Sequence, residues 1–414
     1  MSLTGGWGAS LPGLAVEARA QIVDEVSSQF QGLSLSELRG DREKLVLRAI
    51  PLINTCLSRT GLHASSNEID EIARDVVARV GGLGFLEPFL RTDSGLSEVA
   101  LTPQGDVWIL RKGAPSFEKL PSKPSITDAW RAVETLLAPL GRAVTEAAPS
   151  VDAKIPRQDG LAGGARVKII HPVVAPGLGY PSVNVRLFEP KPVPPQRLIE
   201  WNVAPPAVIH SLVDLVLKAL RVLVIGGTGS GKTTLLSALC HGIPKEARVV
   251  KIEDPEEIWL DHPHVVTLEA RPIQVGSSIV PYTLAAAVDD AMRMSPRWLI
   301  VGEMRRGDAA AALFRAQMSD HPGLSTFHAE GPEAAVTRLN LLLYADVGIR
   351  AESAKEMFAQ AIDLVVQVGW IGGTRAMLGV WEVGKQLKAG NVQFQQLYAP
   401  GDQELRPVCI ERRV

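Results

Sequence analysis

The stretch VLVIGGTGSGKTTLLSAL, residues 222–239, decides the fold of this chain. Its first four apolar residues predict a buried strand, and the run from Lys232 predicts a helix. Between them, GGTGSGKT satisfies G-x-x-x-x-G-K-[ST] in full. Glycines let the backbone curl so that several N–H groups point at one phosphate at the start of a helix. A strand, a glycine-rich loop and a helix in this order predict a nucleotide site of the P-loop kind.

The chemistry of this loop predicts its ligands. We expect Lys232 to bridge the β- and γ-phosphates and the hydroxyl of Thr233 to ligate magnesium. The expected ligands are therefore ATP or ADP together with Mg²⁺. The predicted nucleotide-binding residues form one continuous segment, which is Gly226, Gly227, Thr228, Gly229, Ser230, Gly231, Lys232, Thr233 and Thr234.

Hydrolysis also needs carboxylates, and two acidic stretches follow later apolar runs. The run EDPEE, residues 253–257, follows one of them, and Gly302 and Glu303 follow another. The usual second nucleotide motif ends its strand with Asp, so in this chain the carboxylate role passes to Glu303. Ligands of parallel sheets bind at the carboxyl ends of the strands. We therefore predict that both acidic stretches lie near the P-loop.

A histidine follows a third apolar run. His328 lies in LSTFHAEGP, directly after the predicted strand Leu324–Phe327. Its position favours a sensor of the γ-phosphate, whereas a metal-ligand role is not supported because no partner ligands flank it. His321, in DHPG, is a weaker candidate.

The length of 414 residues predicts two or three domains. Residues 1–80 carry apolar residues at helical spacing, including Leu35–Ile50, and predict a helical N-terminal extension. Residues 81–188 mix short strand-like runs with a helix and predict an α+β domain. Residues 189–204 begin with EPKPVPPQR and predict a proline-rich linker. In residues 205–414, strands alternate with helices, which predicts a parallel sheet covered on both faces in a P-loop ATPase domain.

Composition narrows the functional classes. The formal net charge of −2 gives no basic surplus for nucleic acid and no acidic excess typical of disorder. The cysteines Cys56, Cys240 and Cys409 are too widely spaced to suggest a disulfide framework or a zinc site. The first residues do not have the pattern of a signal peptide, and no apolar run approaches the roughly 18 residues of a spanning helix. We therefore expect a cytoplasmic chain.

Taken together, these motifs make the sequence resemble the ATPases of type II and type IV secretion machines, most closely the Tad/Flp pilus assembly ATPases. GGTGSGKTTLL resembles the family's Walker A motif, and KIEDPEEIWL resembles its acidic box. AMRMSPRWLIVGEMRRGDA resembles its atypical Walker B motif, and GLSTFHAEGPEAAVTRL its histidine box. With GGLGFLEPFL, PSVDAKIP and SVNVRLFEP further upstream, the resemblance covers Gly81 to at least Arg338 in the family's order.

The resemblance implies catalytic roles for five side chains, which are Glu253, Glu257, Glu303, Arg305 and His328. Glu257 matches the glutamate that polarises water, with Glu253 beside it. Glu303 matches the Walker B glutamate on magnesium, and Arg305 the arginine that follows. His328 matches the residue that faces the γ-phosphate.

The resemblance also implies features beyond this core. Arg166 and Arg186 match arginines that the N-terminal domain offers to the phosphates, where they neutralise transition-state charge. The implied fold is a RecA-like motor domain in a homo-hexamer that drives an inner-membrane platform protein. Such a protein is peripheral to the inner membrane through its protein partners, and no nucleic acid partner is expected.

This sequence departs from the family's pattern in three places. RMSPR, residues 293–297, replaces the usual R-M-R-P-D, and SDH, residues 319–321, replaces T-G-H. The loop IPRQDGLAGGAR is longer than the usual L-P-D-G-S-R, which weakens the match at Arg166. None of these changes removes a core catalytic residue.

Three alternatives to a pilus motor remain open. The first is a traffic ATPase of a type IV secretion machine. The second is a nucleic-acid motor, against which the charge of −2 and the count of four tyrosines argue. The third is a regulatory ring that binds nucleotide without hydrolysing it, against which the set Lys232, Glu257, Glu303 and His328 argues.

Overall fold

The computed structural model describes residues 14, 16–30, 42–81, 83–90, 94–114, 116–155, 163–189, 191–271 and 280–410. The chain divides into two compact units, Met1–Leu187 and Phe188–Val414. Part of the predicted helix Leu35–Ile50 lies outside the described residues, as do residues 156–162 of the long loop. Within the described part of the chain, no helix combines the length and the apolar character needed to cross a bilayer.

The first unit begins with three helices, α1 (Val16–Ser28), α2 (Arg42–Thr60) and α3 (Ser66–Gly81). Their apolar faces form one core, in which Val26, Ile53 and Val76 are fully buried. We predicted that the second helix ends at Ile50, and this end is wrong because α2 continues through Pro51. The helix tolerates the missing N–H donor because the turns beyond Pro51 bury apolar side chains such as Ile53.

A six-stranded antiparallel sheet completes the first unit, with strand order β3-β2-β1-β6-β5-β4. Its strands are β1 (Leu96–Leu101), β2 (Val107–Arg111), β3 (Glu118–Lys119), β4 (Ser150–Ile155), β5 (Ala165–Ile170) and β6 (Ser182–Leu187). Helix α4 (Ile126–Leu137) begins at Ser125, whose side chain accepts a hydrogen bond from the N–H of Asp128. Buried residues of α4 pack with the sheet in one core, as expected for an α+β arrangement.

The second unit is built on an eight-stranded sheet with strand order β14-β13-β12-β7-β11-β10-β8-β9. Six neighbouring strands, from β12 to β9 in that order, are parallel, and β13 and β14 extend the sheet antiparallel. The strands are β7 (Val222–Gly226), β8 (Val249–Glu253), β9 (Val265–Glu269), β10 (Trp298–Met304), β11 (Gly323–Phe327), β12 (Leu364–Ile371), β13 (Thr374–Val383) and β14 (Phe394–Tyr398).

Helices cover both faces of this sheet. They are α5 (Pro195–Glu200), α6 (Pro206–Leu217), α7 (Lys232–Leu239), α8 (Leu284–Ala291), α9 (Gly307–Met318), α10 (Pro332–Val347) and α11 (Ala351–Ala361). Every residue of β7 is buried, with Val222 and Val224 in one core and Leu223 and Ile225 in the other. This alternation confirms the predicted doubly covered parallel sheet.

The segment predicted as a linker, residues 189–204, contains helix α5. Pro195 lies in the first turn of α5, where its missing N–H costs no hydrogen bond. Leu198 and Val203 are buried in the same core as Val222, so this part of the segment packs on the second unit.

Candidate functional site

The P-loop joins β7 to α7 and has the backbone that its sequence predicts. A Cβ atom on Gly226 would lie 2.3 Å from the carbonyl oxygen of Val368 in the neighbouring strand β12, so only glycine fits there. Gly231, directly before α7, has a φ of +97°, which an L side chain rarely adopts. The loop therefore reaches the N-terminus of α7, where its N–H groups can bind an anion.

The side chains of the loop close around its own backbone. The Nζ of Lys232 donates hydrogen bonds to the carbonyl oxygens of Gly226 (3.1 Å) and Gly227 (2.8 Å). The hydroxyl of Ser230 donates to Gly227 at 2.8 Å. Thr233 and Thr234 are half-buried in the first turn of α7. These contacts hold the lysine over the loop, where a phosphate group would meet it.

A cleft beside the P-loop brings together residues from several elements. It has a volume of about 420 Å³ and is lined by Thr228, Glu303, Met304, Arg305, Phe327, His328, Arg338 and Leu342. Thr228 belongs to the P-loop, and Glu303 and His328 stand at the carboxyl ends of β10 and β11. Three residues that the sequence singled out, Glu303, Arg305 and His328, thus share one cleft with the P-loop.

Glu303 is held by the arginine that follows it. The Nε and Nη2 atoms of Arg305 lie 2.7 Å and 2.6 Å from Oε2 of Glu303. Both side chains are partly exposed, so the carboxylate remains accessible from the cleft. A carboxylate that lines a cleft beside the P-loop offers the oxygen ligands that magnesium prefers.

The surroundings of His328 favour its neutral imidazole. Partial burial, and after it the charges of Lys232 and Arg338, lower the pKa of this imidazole from its ordinary value. Arg338 also fixes the backbone at this point, because its Nη1 donates to the carbonyl oxygen of His328 at 2.9 Å. The weaker candidate His321 precedes β11, and so lies at the opposite edge of the sheet from His328.

The acidic box follows β8 and is built around a buried ion cluster. The Nζ of Lys251 lies 2.8 Å from Oε1 of Glu256 and 3.0 Å from Oε2 of Glu253, although the contact with Glu253 lacks hydrogen-bond geometry. Oε1 of Glu253 accepts hydrogen bonds from the N–H groups of Glu257 (3.1 Å) and Ile258 (2.9 Å). Desolvation raises the pKa of Glu253 and the lysine opposes that shift. Glu253 therefore holds the loop, and the half-buried Glu257 is the more accessible of the two carboxylates.

The glycine at position 302 makes room for this cluster. A Cβ atom on Gly302 would lie 2.9 Å from Cγ and 3.1 Å from Oε1 of Glu253. An aspartate at position 302, as in the usual second nucleotide motif, would collide with Glu253. The carboxylate role of Glu303 stays a prediction, and this close approach excludes an aspartate at position 302 while Glu253 keeps its place.

The two arginines predicted to reach the phosphates belong to the first unit. Arg166 on β5 and Arg186 on β6 are register partners in the antiparallel sheet, so their side chains share one face. Nη2 of Arg166 lies 3.9 Å from Oδ1 of Asp152, and Arg186 is exposed. Their action on a nucleotide in the second unit stays a prediction.

Sequence reasoning missed two arginines near the P-loop. Arg338 lies inside the stretch that resembles the histidine box, but no role was assigned to it because it stands inside α10 and does not directly follow a strand. Arg375 follows the run GGT, residues 372–374, near the start of β13, and its Nε donates to the carbonyl oxygen of Gly229 at 2.9 Å. The only signal for Arg375 was the glycine pair of a tight turn.

Comparison with known proteins agrees with this geometry. The sequence model of the family described as "Type II/IV secretion system protein" matches residues 83–368. The chain is 29% identical over 318 residues to a putative conjugal transfer protein of Mycobacterium tuberculosis, covering 75% of this chain and 87% of that protein. It is 30% identical over 287 residues to the probable conjugal transfer protein TrbB of Sinorhizobium fredii, covering 67% and 79%.

Shorter or weaker likenesses extend to other secretion proteins. The type IV secretion system protein PtlH of Bordetella pertussis is 33% identical over 168 residues, which cover 39% of this chain and 49% of that protein. Among solved structures, the ATPase DotB of Legionella pneumophila gives a TM-score of 0.49 at 18% identity, covering 70% and 77%. The VirB11 ATPase of Brucella suis gives 0.37 at 24% identity, covering 70% and 90%.

The family match spans the acidic box, the Walker B strand and the histidine, and ends in β12 beside the P-loop. It therefore covers the cleft and most of both units. This match, which covers well over half of the chain, shows that the chain belongs to the type II/IV secretion system protein family.

Proposed function

We propose that this chain is a magnesium-dependent ATPase whose homo-hexamer powers the assembly of a Tad-type pilus or a related secretion machine at the inner membrane. The observation that carries the proposal is the cleft in which P-loop, Glu303 and His328 meet. Retraction of the same filament falls within the proposal.

The roles of the side chains follow from their chemistry. Lys232 binds the β- and γ-phosphates, and the N–H groups at the start of α7 bind the remaining charge. The hydroxyl of Thr233 and the carboxylate of Glu303 hold Mg²⁺, which neutralises developing negative charge when bound. Glu257 polarises the attacking water, and His328 senses the γ-phosphate. We also propose that Arg166 and Arg186 stabilise the transition state from the first unit.

An apolar stripe supports the proposed assembly. Leu341, Tyr344 and Val347 follow one another at helical spacing on α10, with exposed fractions of 67%, 66% and 43%. Exposed apolar patches mark protein contacts more often than scattered single residues do. A ring of subunits and a membrane-bound platform protein are the partners that we propose for such a surface.

A traffic ATPase of a type IV secretion machine is the second candidate. The conjugal transfer proteins and PtlH favour it. The three-helix extension and the wording VDAKIP favour the pilus branch. The neighbouring genes separate the two, because prepilin and platform genes would support the pilus and conjugation genes would contradict it.

Two substitutions test the proposed chemistry. Lys232→Ala should lose nucleotide binding and turnover, because it removes the phosphate cradle. Glu303→Gln should keep nucleotide but lose turnover about 100-fold or more, because the phosphate cradle stays while the metal ligand goes. Nucleotide Kd and ATP turnover of purified full-length protein give both answers.

Glu333→Gln is the matched control, since Glu333 is an exposed carboxylate in the first turn of α10. It should turn over ATP at the parent rate. If Glu303→Gln also hydrolyses ATP at the parent rate, the metal assignment is wrong.

A further inference from the structure

The strand order gives the P-loop two different sides. Strand β7 lies between β11 and β12 in the sheet. On the β11 side, His328 and Glu303 line the cleft where the γ-phosphate is proposed to react. On the β12 side, a hairpin formed by β12 and β13 borders the loop, close enough that Gly226 allows no side chain against Val368. If a nucleoside triphosphate binds with its γ-phosphate towards β11, its base lies on the β12 side of the P-loop.

The hairpin presents a fixed pair of side chains. Its turn is the glycine pair Gly372–Gly373, and both residues have positive φ angles, +56° and +82°. Two such residues form the tight turn that fixes the register of a hairpin. Trp370 and Arg375 are consequently register partners, and side chains of such partners share one face. The guanidinium carbon of Arg375 lies 4.9 Å from the centre of the Trp370 ring.

This pair is anchored to the P-loop. The Nε of Arg375 donates to the carbonyl oxygen of Gly229 at 2.9 Å, although the two residues are 146 positions apart. Its Cδ lies against Gly231, where an added Cβ would come within 3.6 Å. Trp370 remains 44% exposed. A flat aromatic surface and a planar cation thus stand at the rim of the phosphate loop.

We propose that Trp370 and Arg375 form the nucleobase subsite of this ATPase. Any base offers a flat π face that stacks on an indole. The guanidinium adds in-plane N–H donors for ring nitrogens or carbonyl oxygens of the base. This inference rests on the proposed nucleotide site. It assigns residues that would bind the base, which is the part of the nucleotide that the P-loop does not contact.

The test compares two ligands that share phosphates but differ in the base. The full-length chain is titrated with ATP and with inorganic tripolyphosphate, each with magnesium, and both Kd values are measured by calorimetry. Trp370→Ala should weaken ATP about tenfold, in line with the loss of one stacked base. Its tripolyphosphate Kd should stay within about twofold, because the P-loop remains intact. Trp370→Phe should keep most of the ATP affinity, because it keeps an aromatic face.

Trp201 offers a matched control, because Arg197 stacks on its ring at 5.3 Å and it is also 44% exposed. Trp201→Ala should leave the ratio of the two Kd values unchanged. An unchanged ratio in Trp370→Ala, or an equal loss in Trp201→Ala, would overturn the base subsite while the phosphate site stands. A chain that binds neither ligand would overturn the phosphate site and the base subsite with it.

Discussion

Lys251 is the residue whose environment departs most from its usual place on a protein surface. Its side chain is 2% exposed, and its ammonium group contacts the carboxylates of both Glu253 and Glu256. Glu253 was predicted as a catalytic carboxylate, and its burial supports a positioning role instead. Its Oε1 holds the N–H of Glu257, so the cluster determines where the loop that carries Glu257 lies. The ion cluster is thus joined to the proposed chemistry by one hydrogen bond.

Removing the charge of Lys251 should displace the loop that carries Glu257 and change how the stability of the protein depends on pH. We expect Lys251→Met to lower kcat about tenfold at nearly constant KM for ATP, because the loop that carries Glu257 shifts while the P-loop does not. The lysine lowers the pKa of Glu253 against the effect of burial, so its loss raises that pKa further. A carboxyl group with a raised pKa binds its proton more tightly in the folded than in the unfolded state. The variant should therefore lose more stability than the parent as pH rises above the ordinary pKa of a glutamate.

Steady-state kinetics and thermal unfolding at several pH values check this prediction. The exposed Lys245 offers the control Lys245→Met, which should match the parent in both measurements. Equal pH dependence of stability in Lys251→Met and the parent would contradict the assigned role of the cluster.

At the scale of elements, two neighbouring parallel strands share a crowded carboxyl end. Strands β8 and β10 pair directly, and the side chain of Glu253 crosses over Gly302. The distance of 2.9 Å from a Cβ at position 302 to Cγ of Glu253 leaves no room for a methyl group. The identity of this one residue therefore controls how closely the acidic box approaches the Walker B strand.

A methyl group at position 302 should disturb this junction. We expect Gly302→Ala to destabilise the second unit by about 1–3 kcal/mol, because overpacking forces Glu253 or β10 to move. Urea unfolding measures the loss. Gly331→Ala should cause a clearly smaller shift, because a Cβ there meets no atom within 4 Å. If Gly302→Ala is as stable as the parent, the acidic box can move away from position 302 without cost, which contradicts the prediction.

At the scale of the whole molecule, a second buried ion cluster fastens the amino ends of the two central strands β7 and β12. The guanidinium of Arg221 binds Asp363 through Nε (3.0 Å) and Nη2 (2.9 Å). Lys385 binds the same carboxylate at 2.7 Å, and burial lowers the pKa of its ammonium group. Asp363 is fully buried, and both cations contact its carboxylate.

Neutralising this carboxylate should loosen the core of the second unit. Asp363→Asn should cost about 3–5 kcal/mol, because it leaves the buried guanidinium of Arg221 without its counter-charge. Hydrogen exchange at the amides of β7 and β12 should accelerate accordingly. The exposed pair Arg197–Glu200 gives the control Glu200→Gln, which should change stability by no more than about 1 kcal/mol. Similar exchange rates in both variants would contradict the fastening role.

Sequence alone predicted the parts of this molecule that local chemistry determines. The P-loop, Glu303 and His328 could be placed together because each follows an apolar strand, and parallel strands deliver their carboxyl ends to one edge. The positions of Arg338 and Arg375 could not be predicted, because a helix and a distant hairpin bring them to the loop. The buried state of Glu253 also required the structure, because a run of acidic residues usually indicates a solvated loop.

The pairing of β7 with β12 affects how the chain folds during its synthesis on the ribosome. Arg221 and Asp363, which precede these strands, are separated by 142 residues. Closing so long a loop costs chain entropy before the contacts between the strands can offset it. Such non-local pairing slows folding. A ribosome releases the P-loop long before its neighbouring strand, so the nascent nucleotide site stays unfinished until synthesis has passed β12. We therefore expect ATP binding to arise late in synthesis, after the first unit has had time to fold.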